Sequence, residues 1–170
     1  MGSILVPNAP QSGRTLLATG TLSGANLVLS SIPTSYSSLY VIIRNFKPAT
    51  DNQSIRLEIN GDSTASRYAN AGTFSATAQT YGQNYWTVTQ NNDNSVAIGL
   101  TELEFVDYAN TTTAKMMKIQ SHTVDPTTTT SYCFYSGAGV YNQTAAITQL
   151  GFFTSSGNFT SGTLLLYGVK

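Results

Sequence analysis

The chain has 170 residues, of which 9% are charged, with eight basic residues balancing eight acidic ones. Roughly two residues in five are Ser, Thr, Asn or Gln, against about 25% charged residues in an ordinary soluble domain. Hydroxyls and amides do little proton transfer without a tuned partner, and zero net charge offers no basic stripe for a phosphate backbone. The balance therefore argues against an enzyme and against nucleic-acid binding.

In chain order, "MGSILVPNAPQSGR" lacks the basic start and long apolar run of a signal peptide. Gly2 follows Met1, but Val6 occupies the Ser/Thr position of a myristoylation signal. Residues 1–14 read as an N-terminal arm with Pro7 and Pro10, and residues 15–170 as one domain large enough to bury a core. "RTLLATGTL" and "NLVLSSI" read as a short strand pair joined around Gly24. In "SLYVIIRNF", Leu39, Val41 and Ile43 share one strand face, and in "SIRLEING", Ile55, Leu57 and Ile59 do the same. Asn60-Gly61-Asp62 then signals a tight turn.

Tyr68 to Asn94 is the longest stretch without clean alternation, and reads as an insertion suited to binding. Tyr81, Tyr85 and Trp86 are candidates for a sugar-stacking platform, with Gln83, Asn84 and Gln90 as hydrogen-bonding arms. Against that platform, the plainer reading of Trp86 is a plug in the sandwich core or an intersubunit contact. "SVAIGLTELEFVDY" resumes the alternation, with a change of parity at Thr101–Glu102 that suggests a bulge. "AKMMKIQ", "SYCFYSGAGVY", "AAITQLGFF" and "GTLLLYGVK" continue it, and Thr127 to Thr130 reads as a loop tip. About nine or ten strands separated by uneven turns predict an all-β fold, an antiparallel β-sandwich that is jelly-roll-like. No apolar run approaches the ~20 residues of a membrane-spanning helix.

Chemistry-bearing groups are sparse. One cysteine, Cys133, allows no intrachain disulfide, and one histidine, His122, gives little support for a nucleophile or a zinc site. "NNDNS" lacks the late glutamate of a calcium loop. Glu102 and Glu104 share one strand face rather than facing across a cleft. Asp62 and Asp107 read as turn residues. Asn-x-Ser/Thr occurs at Asn52, Asn110, Asn142 and Asn158, as chance allows in such a composition. No catalytic residue, metal ligand or cofactor is expected.

Four segments carry a resemblance: "SSIPTSYSSLYVIIRNF", "IRLEINGDSTASRYA", "VDYANTTTAKMMK" and "QTAAITQLGFFTSSGNFTSGTLLLYGVK". Together they resemble β-sandwich virion structural proteins of tailed bacteriophages, chiefly those of marine and cyanobacterial hosts, over about residues 30–169. The resemblance implies a virion component of head-decoration, knob or tail-associated type, made in the host cytoplasm and carried on the particle. Expected partners are other virion proteins and further copies of the chain, a trimer by analogy. A tail-associated module recognising host surface glycan is the alternative. The resemblance brings no catalytic or cofactor residues, and it does not extend over the first twenty residues or over Ala71 to Ser95.

Overall fold

A computed structural model describes residues 13–74, 76–124 and 132–170. Most of the expected arm and the Thr127–Thr130 tip lie outside the described residues.

Twelve strands and no helix are present among the described residues: β1 (Arg14–Thr21), β2 (Asn26–Leu29), β3 (Ser38–Pro48), β4 (Ile55–Ile59), β5 (Tyr68–Phe74), β6 (Ala76–Gln83), β7 (Trp86–Thr87), β8 (Gly99–Val106), β9 (Lys115–Val124), β10 (Tyr132–Tyr141), β11 (Leu150–Thr154) and β12 (Phe159–Val169). Eight form one sheet in the order β1-β12-β3-β8-β9-β10-β5-β6, and four form a second in the order β2-β11-β4-β7. Every pairing is antiparallel, and the crossovers between sheets give the jelly-roll-like β-sandwich read from the sequence.

Alternation builds the core directly. Leu39, Val41 and Ile43 of β3 and Leu103 and Phe105 of β8 face Ile55, Leu57 and Ile59 of β4 across the sandwich, all at 0–1% exposure. Each side chain of this kind contributes about 1.5–3 kcal/mol by leaving water. The Asn-Gly turn forms as read. Asn60 and Gly61 have φ of 54° and 67°, and the Asp62 amide donates to the Ile59 carbonyl at 2.9 Å.

Three local expectations are corrected. β1 and β2 do not pair; β1 joins β12 in the large sheet and β2 joins β11 in the small one. No bulge interrupts β8, whose register with β3 and β9 is continuous. The parity change instead reflects an inward threonine, since Thr101 is buried with its hydroxyl 2.8 Å from that of Ser121 while Leu100 points outward. Register shifts lie elsewhere, as between β3 and β12, where Asn45 at φ 55° and Phe46 oppose Gly162. Finally, the stretch from Tyr68 is not a loop insertion but supplies β5, β6 and β7. It crosses from the large sheet to the small one.

Both ends of the described chain meet at one corner, with Arg14 of β1 paired to Val169 of β12. The Arg14 guanidinium also lies 3.5 Å over the ring of Tyr40 in β3.

Candidate functional site

The aromatic platform expected from Tyr81, Tyr85 and Trp86 does not assemble. Tyr85 sits in the bend just before β7, and its side chain points away from that of Trp86. Trp86 has 0% exposure and inserts between the sheets. Its indole N–H is shared by the carbonyls of Ala69 and Val140, at 3.2 and 3.1 Å. Its ring meets those of Tyr68 and Phe105, 5.6 and 6.1 Å away. Tyr85 faces outward on the small sheet, edge-on to Phe153 at 5.9 Å and beneath the Arg56 guanidinium at 4.1 Å. Tyr81 lies two residues before the end of β6 and is 71% exposed. Of the two readings of Trp86, the core plug holds. Gln83 donates to the carbonyl of Tyr81, a local turn contact.

His122 and Cys133 do not meet either. Phe134 is the β10 residue opposite His122, and their rings lie 4.9 Å apart on the outer face. Cys133 is buried on the inner side. Among the described residues, no group of three or more His, Cys, Asp or Glu is placed to hold a metal ion.

The most perturbed carboxyl holds the turn between β4 and β5. Asp62 accepts from the Tyr141 hydroxyl at 2.6 Å, from the Thr64 amide at 3.0 Å and from Arg67. The Tyr68 hydroxyl donates to the Asp62 carbonyl at 2.6 Å and accepts from the Ile59 amide at 3.0 Å. Burial opposes the charge on Asp62, but the bonds from Tyr141, Thr64 and Arg67 outweigh it and hold the carboxyl well below its usual range. Burial, then the Asp62 bond, pushes the Tyr141 phenol up to about 12. A carboxyl lowered in the folded state stabilises the fold fully above its unfolded pKa of about 4, and loses that contribution as pH falls toward the folded value. Stability is therefore expected to drop between about pH 5 and pH 2, and Asp62→Asn should flatten that part of the profile. Urea unfolding of both proteins across that range is the check, and equal slopes would refute the assignment.

The other concentration of polar groups lies mid-way along the outer face of the large sheet. β3, β8 and β9 run side by side there, setting Tyr40 opposite Glu104, Ile42 opposite Glu102, Glu102 opposite Gln120 and Glu104 opposite Lys118. Tyr40 donates its hydroxyl to Glu102. Lys118 donates to Glu104 at 3.2 Å. Burial, then the hydrogen bond to Glu102, pushes the Tyr40 phenol upward. These residues border a shallow groove of about 240 Å³. Exposed apolar side chains flank it along the strands: Leu100 and Phe134 at one end, Val106, Met116 and Val140 at the other. Sequence reading placed Glu102 and Glu104 on one wet strand face, which is where they sit. It missed Tyr40, Lys118 and Gln120 because only the register of three strands brings them together.

No family model matches this sequence, and no curated protein matches it. Among solved structures, the crystal structure of the Caenorhabditis elegans galectin LEC-6 aligns with 87% of this chain and 94% of that chain, at 7% identity and a TM-score of 0.40. A likeness of that depth says nothing about what this chain binds.

Proposed function

We propose that this chain is a non-enzymatic structural protein of the bacteriophage particle surface, of head-decoration or knob type. The observation that carries the reading is where the four phage-like segments fall: their distinctive residues are the locks of the scaffold. Pro33 of the "SIP-x-x-Y" turn accepts the hydroxyl of Tyr108 from the Asp-Tyr-Ala-Asn turn. Tyr36 of the same turn covers Gly168, where a Cβ would come within 2.5 Å of its ring. Asn60 and Tyr68 of the second segment tie down the chain at the end of β4. The Asn60 side chain donates to the Ala146 carbonyl at 2.8 Å and accepts from the Thr148 amide at 2.9 Å. In the closing segment, Phe159 meets Phe46 edge-on at 5.6 Å. A motif set spent on stability rather than on convergent reactive groups suits a part made for repeated contact.

On this reading the chain resides in the virion, contacts other virion proteins, and joins its own copies with closed symmetry, as a trimer. Quantitative mass spectrometry of purified particles is the test. Copy numbers in proportion to the major shell protein are expected. A handful of copies would move the chain to the tail, and absence from purified particles would overturn the virion reading. The tail-associated, glycan-recognising alternative draws support from the polar groove on the large sheet.

A further inference from the structure

The geometry points to a binding site for a neutral oligosaccharide on the outer face of the large sheet, in the groove bordered by Tyr40, Glu102, Glu104, Lys118 and Gln120, with Phe134 as its apolar end. The inference does not rest on the virion reading, since the groove belongs to the folded chain.

Four observations carry it. The groups are fixed by strand register rather than by loops, with three adjacent strands each supplying at least one. A site on rigid elements loses little entropy when a ligand arrives. Their hydrogen-bonding capacity exceeds what they use on each other. Each carboxylate offers about four acceptor positions, an ammonium three donors, and an amide both kinds. Glu102 receives one bond from Tyr40 and Glu104 one from Lys118, while Gln120 is exposed. A ligand satisfying this set must donate and accept from neighbouring atoms, as a run of sugar hydroxyls does.

The charge balance selects a neutral ligand. Arg14, held over Tyr40, and Lys118 offset Glu102 and Glu104. An anion would meet both carboxylates, and a cation both basic groups. The dimensions set the mode of binding. The groove is smaller than the ~300–1,000 Å³ of a drug-sized site, which suits one sugar ring. The next outward position on β9 beyond Gln120 is His122, about 7 Å along the strand. His122 stacks on Phe134, which is 48% exposed. A second ring continuing along β9 reaches that apolar surface, where the C–H face of a sugar packs on an aromatic ring. The ligand so defined is a linear chain of two or three neutral sugars lying along β9 from Lys118 to His122.

The experiment is a backbone-amide NMR titration of the full chain with maltotriose, cellotriose and lactose, using sialyllactose and a glucosamine dimer as anionic and cationic comparators. At least one neutral sugar is expected to shift the amides of Tyr40, Glu102 to Glu104 and Lys118 to His122, with Kd of about 1 mM. Glu102→Gln and Gln120→Ala should each weaken binding about tenfold. Phe134→Ala should weaken whichever of these sugars binds, since each carries the second ring that reaches the Phe134 surface. Met116→Ser, on the same face but outside the groove, should bind as wild type. A native-like amide spectrum for each variant separates lost binding from lost fold. No shift with any neutral sugar, shifts mapping elsewhere, or tighter binding of either charged comparator would overturn the proposal.

Discussion

Trp86→Ala is expected to cost about 3–5 kcal/mol of folding stability, or roughly 10 °C in Tm for a chain of this size. The indole does three things at once. It fills the space between β7 and the β5–β10 pair, it makes aromatic contacts with Tyr68, Phe105 and Tyr141, and it bridges the carbonyls of Ala69 and Val140 with one N–H. Gly139 makes room for it, since a Cβ there would lie 2.7 Å from the indole nitrogen. Gly139→Ala should therefore destabilise by about 1–3 kcal/mol in the wild type. In the Trp86→Ala background it should cost much less, because the clash is gone. Denaturant unfolding of the two single variants and the double variant measures the coupling. Additive losses would show that Trp86 and Gly139 do not act on one another.

The second large effect is expected at Lys115, a lysine with 1% exposure on the inner face of β9. Its ammonium donates to the carbonyls of Asn110, Thr113 and Thr144, at 2.5, 2.7 and 3.0 Å. It thereby ties the turn before β9 to the segment after β10. Burial depresses its pKa, with the charge of Asp107 acting in the other direction. Lys115→Met keeps the stem and removes all three charge-assisted bonds. The carbonyls left behind should make the loss about 3 kcal/mol, despite the relief of burying no charge. Thermal unfolding checks the size, and faster amide exchange at residues 108–114 should accompany it. Unchanged stability and exchange would show that water replaces the ammonium at no cost.

The sandwich was legible because β3, β4, β8 and β9 each alternate a dry and a wet side chain, a signal that survives without knowledge of the partner strand. β5 and β6 were not legible as strands. "YANAGTF" carries small residues where inward apolar ones are expected, because distant rings fill the space above them. Gly72, for example, lies beneath the ring of Tyr135, where a Cβ would approach within 2.3 Å. The inward threonine of β8 misled for the opposite reason, since a hydroxyl paired across strands with Ser121 passes for a solvent residue. As for the site, Trp86 opens a strand of only two residues, too short for alternation to show that it, and not Tyr85, enters the core. The groove residues at positions 40, 102–104 and 118–120 are neighbours only through register, which residue spacing along one chain does not encode.

The corner where Arg14 and Val169 run side by side bears on how the protein is handled. A peptide appended after Lys170 departs beside the edge that Arg14 occupies, one strand away from Tyr40. Affinity tags and fluorescent reporters placed there would crowd the outer face that carries the proposed sugar site.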